Sequence, residues 1–303
     1  MEALLQKFFV FIVLMLIGYV GARKNMLNPE FTRAASKLTL NVFMSATILN
    51  AVIVNPPTLS GKDLLYALFI TFLVVLIGYL VGALVVRILP IQKERAPLFE
   101  LLIGVMNSMF IGVPVAELLY GSQAVFYIAL SNIFFNLFLY TYGVLRLNKG
   151  EQGGLRLKNV LSVPLLATFV SVLIFMLRIP VPTAIRGLIG SAAGATMPLS
   201  MIVIGSSLGR VKLTDALRQG NLYLVALFRL LVVPGLTWLL FLFLPADPLL
   251  RAGMIIMSAC PSGVVVSILA IQYGRDVEYS SEAILLDTAL SMLTIPLVVS
   301  VLI

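Results

Sequence analysis

The sequence predicts an all-α polytopic membrane protein of ten transmembrane helices, arranged as two inverted five-helix repeats. Two observations predict the membrane class. Hydrophobic residues make up 60% of the 303 residues and charged residues only 11%, against roughly 25% charged in an ordinary soluble domain. The mean hydropathy is +1.08, and no polar stretch is long enough to coat a separate water-soluble unit. A third observation predicts the repeat: a polar, proline-containing interruption recurs in the fourth and ninth apolar runs.

A helix crosses the hydrocarbon core with about 20 mostly apolar residues, and only helices or closed barrels satisfy the backbone there. Runs of that size place spans at 4–22, 35–54, 64–89, 97–119, 123–145, 159–177, 184–208, 220–244, 250–273 and 280–303. Turn and breaker residues separate them: Asn28-Pro29, Asn55-Pro56-Pro57, Pro90, Gly121-Ser122, Gly150 with Gly153-Gly154, Pro180 with Pro182, Pro245 with Pro248, and Gly274. The seventh span contains Gly187, Gly190, Gly194 and Pro198; in a membrane such small residues permit close helix packing. Residues 8–22 end in small residues, but the basic pair Arg23-Lys24 follows the apolar run instead of preceding it, so the first span is read as a retained helix.

The chain has 21 Lys and Arg against 13 Asp and Glu, a net charge of +8. Position explains this excess better than a nucleic-acid partner does, because no basic patch is interleaved with aromatics. Fifteen of the basic residues lie in loops after odd-numbered spans, five lie on the opposite side, and Arg229 lies within a span. By the positive-inside rule the reading is a multi-pass protein of the cell (inner) membrane with both termini on the non-cytoplasmic side.

Cys260 is the only cysteine and there is no histidine. Zinc hydrolysis, a Ser-His-Asp triad and a histidine proton relay therefore lack their usual parts. A Gly-x-x-x-x-Gly-Lys-Ser/Thr motif for nucleotide coupling is also missing. The expectation is a protein that is not an enzyme and that uses neither metal nor cofactor.

The repeat reading divides the chain into residues 1–150 and 151–303. Tyr120-Gly121 closes the fourth span and Tyr273-Gly274 the ninth, and an odd number of spans per half enters the second repeat with opposite orientation. Near mid-membrane the fourth span reads Asn107-Ser108-Met109-Phe110-Ile111-Gly112-Val113-Pro114, and the ninth reads Ser258-Ala259-Cys260-Pro261-Ser262-Gly263. Proline removes a donor and clashes with the preceding turn, so each span is expected to kink or break. Free backbone groups inside a membrane survive only where protein or a water-filled cavity satisfies them. Two half-helix N-termini that converge favour an anion. The plainer alternative is that each proline bends a packed helix.

The stretch from Asn107 to Gly121 resembles the fourth-helix signature of the auxin efflux carrier family, and Cys260-Pro261-Ser262 through Gln272-Tyr273-Gly274 resembles its ninth-helix counterpart. The resemblance implies the ten-helix inverted-repeat fold related to bile acid/sodium symporters, with helices 4 and 9 crossing as broken helices. It implies a scaffold of about 1–58 and 159–210 and a transport unit of about 62–147 and 218–303, moving as an elevator within a homodimer. Family substrates are mostly organic anions, including small dicarboxylates. Two departures stand out: Met44-Ser45-Ala46-Thr47 replaces a frequent Pro-Ala step in the second span, while the seventh keeps Met197-Pro198-Leu199, and the long cytoplasmic loop of plant members is missing.

The functional expectation is a secondary active transporter of small carboxylates. A membrane channel or a ligand sensor is the alternative. The expected substrate contacts are Asn107, Ser108, Gly112, Pro114, Cys260, Pro261, Ser262 and Gly263. Asn132 and Asn136 share a helix face and either line the pocket or join helices. Arg229 and Asp287 are intramembrane charges placed at similar depth, expected to form an ion pair that is functional or purely structural. Glu100 and Glu117 sit near opposite ends of the fourth span. The coupling ion is expected to be a proton or sodium.

Overall fold

The computed structural model describes residues 2–53, 59–148, 161–210 and 213–303. The breaker Asn55-Pro56-Pro57, the first two residues of the sixth span, Lys212, and the loop with Lys149, Gly150, Gly153-Gly154, Arg156 and Lys158 lie outside the described residues. Every regular element among the described residues is helical, apart from one isolated β-bridge.

The helices in chain order are α1 (Glu2–Arg23), α2 (Pro29–Ile53), α3 (Gly61–Ile88), α4 (Ala96–Gly104), α5 (Ser108–Tyr120), α6 (Ser122–Leu147) and α7 (Val163–Leu177). They continue as α8 (Thr183–Leu208), α9 (Leu213–Arg218), α10 (Gly220–Phe243), α11 (Pro248–Ala259), α12 (Val265–Gln272) and α13 (Val277–Leu302). Six of them, α2, α3, α6, α8, α10 and α13, are long and apolar enough to cross a bilayer. The apolar parts Phe9–Arg23, Ser108–Tyr120, Val163–Leu177 and Pro248–Ala259 are shorter.

Local chemistry sets the boundaries. Side chains of Asn28, Ser60, Ser162, Asp247 and Asp276 accept the first free N–H groups of α2, α3, α7, α11 and α13. Gly121 and Gly274 follow the second halves of the broken spans with φ of +77° and +58°. Both Tyr-Gly pairs thus place a glycine at positive φ, which it adopts without steric cost. α2 starts at Pro29, six residues before the apolar run at 35, because Asn28 caps a polar first turn that hydropathy alone does not register.

Four π-helical turns interrupt the helices: Thr39–Phe43 in α2, Ser108–Gly112 opening α5, Leu139–Gly143 in α6 and Phe228–Val232 in α10. Pro114 and Pro234 stand two residues after two of them, where a missing N–H must be absorbed. α8 stays helical through Gly187, Gly190 and Pro198, with one irregular residue at Ala195.

α1 packs along α8, and α2 packs on α7 and on the first half of α8. Glycine makes the first contact possible. A Cβ on Gly205 would lie 1.9 Å from the Met15 carbonyl oxygen, and one on Gly18 would lie 2.1 Å from that of Ile202. α3 packs on α4 and α6, and α11 on α6, α10 and α13. Large side chains such as Phe169, Leu173 and Met176 on α7 and Leu242 and Phe243 on α10 face outward, a surface that suits lipid and not water.

Candidate functional site

The fourth and ninth spans do break, and their breaks meet. α4 ends at Gly104, after which Val105 is extended (φ −100°, ψ 112°). α11 ends at Ala259, after which Cys260 is extended (φ −65°, ψ 148°). Met106 and Ser262 pair as an antiparallel bridge. The Asn107 N–H donates to the Pro261 carbonyl at 2.8 Å and the Gly263 N–H donates to the Val105 carbonyl at 2.8 Å. Pro261 lacks an N–H, and the bridge asks it only for a carbonyl. Each break thereby satisfies the other, as the hydrocarbon interior requires.

Two of the expected contact residues are glycines for a steric reason. A Cβ on Gly263 would lie 3.0 Å from Val105 Cγ1, and one on Gly112 would lie 3.1 Å from Cys260 Sγ. Cys260 is fully buried, with its thiol turned back onto the Ile256 carbonyl at 3.3 Å. Pro114 is buried inside α5.

The second half-helices begin where the chains cross, and their first N–H groups lack intrahelical acceptors. At the start of α5 the Asn107 and Ser108 side chains are 6% and 2% exposed. Neither side chain makes a hydrogen bond among the described residues. Asn132 donates to Met109 Sδ at 3.1 Å, next to this start, whereas Asn136 turns back onto the Asn132 carbonyl at 2.8 Å. Of the pair, Asn132 touches the crossover and Asn136 stabilises its own helix.

Arg229 corrects the expectation of a direct ion pair with Asp287. Fully buried, it donates from Nε to the Cys260 carbonyl at 3.0 Å, from Nη1 to the Ile103 carbonyl at 2.7 Å, and from Nη2 to the Ser258 carbonyl. These are the orphan carbonyls at the C-terminal ends of both first half-helices, where the helix dipoles also favour a cation. No ion pair joins Arg229 to Asp287 within 4.0 Å among the described residues. The broken backbones supply better-placed acceptors. Asp287, also fully buried, instead meets the Ser262 hydroxyl, which lies 2.6 Å from the Leu102 carbonyl as well.

Glu100 belongs to another cluster. It is fully buried, pairs with Arg146 at 2.6 Å and accepts from the Tyr142 hydroxyl. Glu117 is half-buried near the end of α5. Sequence reasoning missed the Thr47–Thr196 contact at 2.7 Å, which ties α2 to α8 beside Met44-Ser45-Ala46-Thr47. It also missed the lock of Arg95 on Asp276 at 3.0 Å and over the Tyr279 ring at 4.7 Å. Neither contact has a local sequence signal, since the partners are far apart in the chain. A 640 Å³ apolar groove between α1, α2 and α8 lies away from the crossover.

Residues 3–299 match the family described as membrane transport protein. The chain is 23% identical over 297 residues to an uncharacterized transporter of Methanocaldococcus jannaschii, covering 95% of both chains. It is 27% identical over 293 residues to an uncharacterized transporter of Methanothermobacter thermautotrophicus, covering 94% of both. With two crossed half-helix pairs at its centre, the chain belongs to the auxin efflux carrier-like membrane transport protein family and is a membrane transporter, not an enzyme.

Proposed function

We propose that the protein is a secondary active transporter of small organic anions, carboxylates above all, which bind at the crossover of the fourth and ninth spans. The observation that carries this reading is the start of α5: two buried, unpartnered polar side chains, Asn107 and Ser108, beside free helix N–H groups. That arrangement suits an anion because both the dipole and the donors favour negative charge.

In this reading ten spans form two inverted repeats. Two features support it: the contact of α1 with α8 is mirrored by that of α2 with α7, and the fourth helix of each half is the broken one. α1, α2, α7 and α8 act as the scaffold and the remaining spans move as an elevator. A second copy docks on the scaffold, where Gly187 and Gly194 of α8 face open space. Both termini lie on the non-cytoplasmic side, an orientation supported by the 15 to 5 bias of basic residues. Single cysteines placed at Gly61 and Gly121 should react with an impermeant thiol reagent from outside and one at Lys93 from inside; the reverse pattern overturns the orientation.

Uptake and counterflow of radiolabelled carboxylates in proteoliposomes test the function. Saturable exchange of labelled for unlabelled substrate separates a carrier from a channel or sensor. Asn107→Leu is expected to raise the half-saturating concentration about 10- to 100-fold, the loss of a hydrogen bond to a charged ligand at roughly 1.5–3 kcal/mol. If Asn107→Leu and Ser108→Ala both transport an identified substrate with unchanged affinity and rate, the crossover is a structural device only.

A further inference from the structure

Ser262 has one hydroxyl hydrogen and two neighbours that need it. Its Oγ lies 2.6 Å from the Leu102 carbonyl oxygen and also within hydrogen-bond distance of Asp287 Oδ2. A carbonyl never donates. If Asp287 were ionised, its Oδ2 and the Leu102 carbonyl oxygen would be two acceptors competing for that single hydroxyl hydrogen, with the Ser262 amide also facing the carboxylate. Asp287 Oδ1, moreover, has no hydrogen-bond partner in its fully buried position. A neutral carboxylic acid resolves the count: its O–H donates to Ser262 Oγ, and Ser262 donates to Leu102. Arg229, the cation that faces Asp287, does not supply the missing hydrogen: it makes no hydrogen bond to the carboxyl among the described residues, and its Nε, Nη1 and Nη2 donate to the carbonyls of Cys260, Ile103 and Ser258.

We propose that Asp287 is a proton-binding site built into the crossover, occupied in this conformation, and that its proton decides where Ser262 donates. With the proton bound, the Ser262 hydrogen holds the Leu102 carbonyl in the last turn of α4. When the proton leaves to water, the carboxylate takes that hydrogen and the Leu102 carbonyl loses its donor. Loss of one proton therefore weakens one tie between the ninth span and the first half of the fourth, without breaking a covalent bond. The groups facing Asp287 are Arg229 from α10, the Ser262 hydroxyl and amide from the break before α12, the Leu102 carbonyl from α4, and Tyr279 two turns earlier on α13. From the end of α11 the Cys260 thiol faces the same Arg229. Toward α9, Glu282 of α13 accepts from Gln219. Only the further step, that this proton is the coupling ion, rests on the transport reading above.

Infrared difference spectroscopy of the purified protein in detergent reads the proton without any substrate. The wild type at neutral pH should show a protonated-carboxyl C=O band that is lost in Asp287→Asn. Asparagine is the matched variant, since its N–H donates to Ser262 Oγ as the acid does. In Ser262→Ala the same band should move to higher frequency, because the O–H loses its acceptor. Thermal melts supply a second readout. A proton held by the folded state and released on unfolding stabilises at low pH and ceases to do so as pH rises, so wild-type Tm should fall with pH relative to Asp287→Asn. Absence of an Asp287-dependent band at neutral pH, with parallel Tm profiles for the two proteins, overturns the proposal. Should Asp287→Asn fail to fold, the band of ¹³C-aspartate-labelled wild type and its shift in Ser262→Ala decide the matter alone. Uptake that fails with the band intact sinks the carboxylate reading and leaves the proton site standing.

Discussion

At the scale of the residue, Arg229 shows how a buried charge is accommodated without a carboxylate partner. Three backbone carbonyls from two broken helices surround the guanidinium, and its rigid fork of donors can serve acceptors on different segments at once. Such a donor suits two spans that end side by side, since each leaves unsatisfied carbonyls in the membrane interior. Arg229→Met should therefore destabilise by about 3 kcal/mol or more, at roughly 1–3 kcal/mol per orphaned buried acceptor. Arg229→Lys should recover part of this, keeping the charge but not the fork. Adding Asp287→Asn to Arg229→Met should bring no recovery, because Asp287 supplies none of the lost bonds. Thermal melts of the single and double variants check this, and a double variant clearly more stable than Arg229→Met would restore the direct ion pair.

At the scale of the element, helix existence was legible and helix interruption was legible only in part. Apolar runs and cap residues such as Ser60 and Asp276 announce most helices, because burial in lipid and capping are local. The breaks near Asn107 and Pro261 were visible as prolines among polar residues. That Met106 would pair with Ser262 was not, since the pairing spans 156 positions and leaves no pattern in either segment. The π-turns at Thr39–Phe43 and Leu139–Gly143 have no proline nearby and no sequence mark. The ion pair assigned to Arg229 and Asp287 failed for a related reason: depth along the membrane says nothing about competition from freed carbonyls. Glycines that permit close packing are equally silent until the neighbour is known. Gly205 faces the Met15 carbonyl, and any side chain there must push α1 from α8. Gly205→Ala should thus cost about 1–3 kcal/mol by overpacking, whereas Gly235→Ala on α10, where an added Cβ would meet nothing, should not lower the melting temperature. Equal effects of the two substitutions would show that the tight contact is not stability-determining.

At the scale of the whole molecule, the proposed elevator needs a seam along which the two bodies can slide. α1 and α8 meet α5 and α13 across a narrow crevice lined by Met15, Met201, Ile111, Val115, Met292 and Ile295. The lining is apolar apart from Ser291, with no salt bridge across it among the described residues. Smooth apolar contact allows one body to shift past another at little electrostatic cost. Contacts inside the proposed scaffold are of another kind: Thr32 bonds Ser206 at 2.8 Å, Thr47 bonds Thr196 at 2.7 Å, and Gly18 and Gly205 lock backbone to backbone. Polar ties and close glycine packing hold the scaffold together while the crevice is left free of them. A thiol-bridging mercury ion across the crevice, between Met15→Cys and Met292→Cys, should therefore arrest uptake while leaving substrate-induced thermal stabilisation in place. Buried Cys260, with its thiol against a carbonyl, should stay unreacted and leave the wild type insensitive to mercury. The matching bridge within the scaffold, between Thr32→Cys and Ser206→Cys, should leave uptake at or near the level of the unbridged protein. If the crevice bridge forms and uptake persists at the unbridged rate, the two bodies do not slide along this seam, and alternating access must come from rearrangement around the crossover itself.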